Sequence, residues 1–113
     1  MAINRVIVLG KVSDAGPKLT YSDKGRLETR LTLVLEEAGK GGQTFSLYVP
    51  VFVYGDQAES AAATLDAGDV VSVDGKLSWS SRLKQDETKL GLCVSAFAVE
   101  LVHKAAIPAE VPT

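Results

Sequence analysis

The chain has 113 residues, 46% of them hydrophobic and 23% charged, and a formal net charge of −2. That length makes one domain with enough apolar side chains for a core, and no apolar run approaches the ~18 residues of a membrane span. The single cysteine, Cys93, excludes an internal disulfide and makes the cytoplasm the default compartment.

Residues 3–12, INRVIVLGKV, read as a strand apolar on both faces, with Gly10 as a bend. They do not read as a secretion signal, because no basic segment leads to a small-residue cleavage site. Residues 13–17 form a turn, residues 18–21 resume extended structure, and Ser22-Asp23-Lys24-Gly25 forms a second turn. Residues 26–37, RLETRLTLVLEE, alternate with period two. Leu27, Thr29, Leu31, Leu33 and Leu35 share the core side, and Arg26, Glu28, Arg30, Thr32 and Val34 share the other. Residues 38–44, AGKGGQT, lack the spacing of a phosphate-binding loop and precede no helix, so they form a hairpin tip.

Residues 45–54, FSLYVPVFVY, make a third strand with two unlike faces. Leu47, Val49, Val51 and Val53 line an aliphatic side, and Tyr48, Phe52 and Tyr54 line an aromatic one. Pro50 removes a ladder donor, which suits an edge. Residues 56–66 form the one helix. Asp56 is placed to cap it with Glu59 three residues on, three alanines favour it, and Gly68 is placed to end it. Its apolar stripe of Ala58, Ala61, Ala62 and Leu65 suits plugging one end of a barrel. Residues 69–80 form a fourth strand with Gly75 as a bulge or corner, residues 81–89 a polar loop, and residues 90–102 a fifth strand. The folded domain spans residues 1–103, and residues 104–113 form a short flexible tail.

The order β-β-β-α-β-β, with one helix between strands three and four, is all-β. It matches the five-stranded Greek-key barrel of the oligonucleotide/oligosaccharide-binding class, the OB-fold. Charge follows the same division. Residues 1–35 hold six basic and three acidic side chains, residues 36–75 one and seven, and residues 76–113 five and four. A local positive face can therefore sit on an acidic protein.

NRVIVLGKV at 4–12, RLTLVL at 30–35 and VFVYGDQAESAAATLDAGDVVSVDGKLSW at 51–79 resemble the bacterial single-stranded DNA-binding proteins. The resemblance covers roughly residues 3–102 and lies in the sequential register rather than in any one motif. It implies aromatic rings that stack on bases and basic residues that hold the backbone. Tyr54 falls on a family position usually held by a DNA-contacting Phe, and Tyr48 on one usually held by a stacking Trp. The aromatic face supports the same reading, since every base has a π-face and stacking contributes ~1–3 kcal/mol per base.

The chain also departs from the family pattern. The Trp near the end of strand two is missing, with residues 36–40 in its place, and the strand-four Trp position falls on Arg82. Trp79 shares alternation with Val71, Val73 and Leu77, which would cap the barrel. A bulge at Gly75 and the polar loop that follows favour stacking on DNA, the preferred reading. The candidate DNA-binding set is Tyr48, Phe52, Tyr54 and Trp79, with Arg5, Lys11, Arg26, Arg30, Lys76, Arg82 and Lys84 as backbone contacts.

The implied partner is single-stranded DNA, bound without sequence preference in replication, recombination and repair, in the cytoplasm with the nucleoid. A homo-oligomer is expected, a tetramer by resemblance with a dimer as the alternative, because exposing both apolar faces of strands one and five would leave a large patch. The chain ends IPAEVPT rather than in the family's acidic tip, which argues against recruiting partners by that route. No cofactor, metal or membrane is implied. His103 is the only histidine and Cys93 sits in an apolar strand, so no nucleophile–base pair is evident and an enzyme is not expected. The alternative is an OB-fold accessory module of primosome or RNA-binding type.

Overall fold

The computed structural model describes residues 2–22, 24–79 and 91–105. Among the described residues six strands, one α-helix and a single 3-10 turn at Lys40–Gly42, between β3 and β4, follow in the order β1 (Val6–Val12), β2 (Lys18–Tyr21), β3 (Leu27–Ala38), β4 (Thr44–Tyr54), α1 (Asp56–Thr64), β5 (Val70–Trp79) and β6 (Leu92–His103). The strands lie in the order β1-β5-β6-β4-β3-β2, and β1 also pairs with β3. That last pairing closes β1, β3, β4, β6 and β5 into the expected five-stranded barrel. β2, the short extended segment, hangs on β3 as an outer edge. All the pairings are antiparallel except β4 with β6.

Alternation decides the core. Leu31 and Leu33 of β3, Val51 and Val53 of β4, and Val71 and Val73 of β5 are all 2% exposed or less. Burying each such side chain contributes ~1.5–3 kcal/mol relative to leaving it exposed. Ala58, Ala61 and Leu65 from α1 and its C-cap join the same cluster, so the helix plugs the barrel with its apolar stripe. The Thr29 hydroxyl donates to the carbonyl of Ala58 and fixes the plug to β3.

The helix ends differ from expectation. Gly55, at φ 71°, is the N-cap residue, and no side chain caps the helix. Asp56 and Glu59 instead lie in the first turn, where their charge opposes the positive end of the helix dipole. The helix stops at Thr64, and Gly68 (φ +88°) turns the chain toward β5.

β6 carries the irregularities. Asp74 and Gly75 of β5 face Ala98 and Ala96, so Phe97 is an extra residue on β6, and Val102 is likewise extra opposite Val70 and Val71. A Cβ on Gly75 would lie 2.3 Å from the Ser95 carbonyl oxygen and 2.9 Å from Ala96 Cα. Gly75 therefore sits at the expected bulge, but the added residue belongs to the partner strand. Pro50 precedes the point where β4 starts pairing with β6, at Val51 and Val94, so its missing donor costs no ladder bond there.

Lys104 and Ala105, assigned from sequence to the loose tail, are tied down. The Asp69 side chain is fully buried and accepts hydrogen bonds from the Ala105 and Asp66 backbone N–H groups and from Lys104 Nζ, at 2.8, 2.8 and 2.9 Å. Lys104 also reaches Asp66 at 2.7 Å and the Thr64 carbonyl at 3.0 Å. Burial pushes the Asp69 carboxyl up, but these donors and the Lys104 charge outweigh it and hold it lowered to about 2. The expected 81–89 loop and residues 106–113 lie outside the described residues.

Candidate nucleic-acid interface

The register of β3 on β4 aligns two functional rows. Tyr54 lies opposite Glu28, Phe52 opposite Arg30, Pro50 opposite Thr32 and Tyr48 opposite Val34. Residues directly opposite share a face, so the aromatic row of β4 runs beside the polar row of β3. The Arg26 guanidinium stands 5.0 Å from the Tyr54 ring centre, and that of Arg30 5.7 Å from the Phe52 ring centre. Both are cation–π distances. The rings of Phe52 and Tyr54 meet edge to face, 6.5 Å apart at 84°.

Exposure separates these rings. Tyr48 is 64% exposed and Tyr54 half-buried, whereas Phe52 is only 2% exposed. Phe52 thus leaves the expected stacking set: Arg30 overlies it and Tyr54 abuts it, so it supports its neighbours rather than offering a face. Trp79 is 63% exposed and Leu77 48%. The barrel-cap reading of Trp79 is therefore corrected. β5 keeps its alternation but runs past the last buried row, at Gly75, and its final residues stand outside the core.

Tyr48, Pro50, Leu77 and Leu92 line one apolar cavity. Tyr48 also lines a wider cleft with Lys11, Ser13, Ala15, Val34 and Glu36. A third recess, between the 13–16 turn and β3, shares Ser13 and Ala15 with that cleft. Tyr48 thus borders the first two hollows, and Ser13 and Ala15 border the second and third. Leu77 and Leu92 were absent from the residues expected from sequence. Their signal was their proximity to strand ends, where inward-facing apolar residues run out of core to enter.

Among the basic residues, Lys11, Arg26, Arg30 and Lys76 are exposed. Arg5 is already engaged: it forks onto Asp74 at 3.1 and 2.7 Å, binding the start of β1 to β5. This pairing lowers the Asp74 carboxyl and raises the guanidinium, so Arg5 is a strut rather than a free cation. Arg82 and Lys84 lie outside the described residues. Cys93 is buried and forms no disulfide. Among the described residues, no group of three His, Cys, Asp or Glu side chains could hold a metal, and no helix is long and apolar enough to cross a membrane.

The sequence pattern described as the single-strand binding protein family matches residues 3–102. The chain belongs to this family. It is 28% identical over 88 residues to the single-stranded DNA-binding protein of Clostridium tetani, an overlap of 77% of this chain and 61% of that one. It is 29% identical over 89 residues to single-stranded DNA-binding protein 2 of Clostridium acetobutylicum, covering 77% and 66% respectively. It is also 28% identical over 89 residues to that organism's single-stranded DNA-binding protein 3, covering 77% and 61%. The matches thus span less than two thirds of these relatives' length. Glu36, the first of residues 36–40 that stand where the resemblance implied a Trp, lines the cleft beside Tyr48.

Proposed function

We propose that the chain binds single-stranded DNA along the β4 groove without reading its sequence, in replication, recombination and repair. One observation supports this reading above the rest: a single-strand binding family barrel carries the exposed rings of Tyr48 and Trp79 and the Arg26-topped ring of Tyr54 together with the exposed basic side chains of Lys11, Arg26, Arg30 and Lys76. Bases stack on such rings whatever their identity. Lys11, Arg26, Arg30 and Lys76 supply phosphate contacts, with Arg82 and Lys84 as further candidates on the segment after β5. The role is binding alone, with no chemical step, metal or cofactor, in the cytoplasm on the nucleoid.

Titration with oligo-dT and with duplex DNA at low and high salt tests this. Single strands should bind far better, and affinity should fall as salt rises through counterion release. Equal affinity for duplex and single strand would overturn the reading. Preference for RNA would favour the accessory-module alternative.

The reading extends to a homo-oligomer, a tetramer or else a dimer. Ile7 and Leu9 on the outer face of β1 are 64% and 56% exposed, and Phe97 on β6 is 56% exposed. Such apolar exposure suits an interface between copies. Light scattering should give a multiple of the 11.9 kDa chain mass.

A further inference from the structure

Lys18 and Arg30 face each other across the β2–β3 ladder as direct register partners. Side chains so placed have Cβ atoms ~4.5–5.5 Å apart, and like charges there destabilise the sheet. Among the described residues neither cation pairs with a carboxylate, and the ion pairs present lie elsewhere. Glu28, the nearest acid along β3, is fully buried and carries its own interactions. Both cations line a recess of about 270 Å³, walled also by Ser13, Gly16 and Thr32. That space is several times the ~30 Å³ share of one water molecule, and an anion within it would sit between two positive charges and relieve their repulsion.

The recess is not isolated. It shares Ser13 and Ala15 with the cleft that reaches Tyr48, so a strand stacked on Tyr48 can continue into it. The Arg30 guanidinium leans toward Phe52 on β4, the opposite side of β3 from Lys18, so gripping one phosphate together with Lys18 requires it to swing back over the recess.

We propose that this recess is a phosphate subsite, in which Lys18 and Arg30 together grip one phosphodiester of the bound single strand. The proposal rests on the single-stranded DNA reading and adds Lys18 to it. Gly16, at φ +69°, lets the 13–16 turn form the far wall. The pair sets a fixed point of backbone register, while the rings along β4 accept whatever bases follow.

The test compares the full chain with Lys18→Gln, Lys18→Arg and Ser60→Glu. The last changes net charge by the same one unit, on the exposed side of α1. Oligo-dT affinity is measured across a salt series. Lys18→Gln should lose affinity several-fold at low salt, and its plot of log K against log salt should be shallower by ~0.7, the value of one single-strand phosphate contact. Lys18→Arg should restore both, and Ser60→Glu should leave the slope unchanged. If the unaltered chain binds oligo-dT and Lys18→Gln shows the same slope, the subsite is refuted while the wider reading stands. If the unaltered chain does not bind oligo-dT, the wider reading fails and takes the subsite with it. A melting series with inorganic phosphate at matched ionic strength separates the two sources of the anion. Phosphate should raise the melting temperature of the unaltered chain more than that of Lys18→Gln. That result together with an unchanged oligo-dT slope would assign the recess to a free anion and overturn the proposal.

Discussion

Tyr54 and Tyr48 stand six residues apart on one face of one strand, and the barrel treats them differently. Tyr54 lies where β4 is part of the core, next to fully buried Val53, with Arg26 above it and Phe52 at its edge. Tyr48 lies where the β3–β4 hairpin has outrun the core, and every residue of β4 from Thr44 to Tyr48 is exposed. A ring at the closed end is oriented before any ligand arrives, but offers less surface. A ring at the protruding end offers most of its surface and must be ordered on binding. The aromatic row of β4 thus joins a rigid half to an adaptable half.

The largest test of that division is stability. Leu33→Ala, in the fully buried row, should destabilise the chain by ~2–5 kcal/mol in denaturant unfolding. Leu47→Ala, on the protruding half and 57% exposed, should stay within ~0.5 kcal/mol. A large loss at Leu47 would break the comparison by showing that another copy covers the hairpin.

Ligand binding comes next. Tyr48→Ala and Trp79→Ala should each weaken oligo-dT binding by ~1–3 kcal/mol. Neither should lower the melting temperature, because neither ring fills the core. Tyr54→Ala should lose affinity and melting temperature together. Trp79 is the only tryptophan, and oligo-dT should quench its emission. Unchanged emission at saturation would remove Trp79 from the interface.

This division was only partly legible in the sequence. Period-two alternation correctly placed Val51 and Val53 inside and Tyr48 and Tyr54 outside, because a pleated strand enforces it. Alternation says nothing about where a core stops along a strand. Trp79 shares its alternation with buried Val73, yet stands beyond Gly75 and outside the core. Phe52 shares the face of Tyr48 and Tyr54 yet is only 2% exposed, with Arg30 of β3 over its ring, a neighbour that only the register reveals. Arg5 looked free because its partner Asp74 lies 69 residues away. The alanine-rich helix was visible from composition, but Gly55 and not Asp56 stands at its start.

A smaller effect sharpens the picture of the closed end. The Asp69 carboxyl is lowered from 3.8 to about 2, so it binds its proton less readily folded than unfolded. Its contribution to stability is therefore complete above the unfolded value and is lost as pH falls through the folded one. The melting temperature should drop between about pH 4 and pH 2 for this reason. Asp69→Asn should melt lower at neutral pH and show a weaker acid dependence across that window. The smallest effect is expected at Glu36, which lines the cleft beside Tyr48. Glu36→Gln should tighten oligo-dT binding by ~0.2–1 kcal/mol at low salt, and less at high salt.

The outer edge strand has a consequence of another kind. Closing a barrel satisfies backbone donors and acceptors that an open sheet would present, but among the described residues β2 pairs with β3 alone and keeps its other side open. An open side is a template on which strands from other molecules can add, which is how aggregates and fibrils grow. β2 is four residues long, follows Pro17 and begins with Lys18. An incoming strand would find few groups to bond and a charge to bury. Copies of this barrel can therefore be crowded together, as the proposed binding along a DNA strand would require, without that edge seeding insoluble growth.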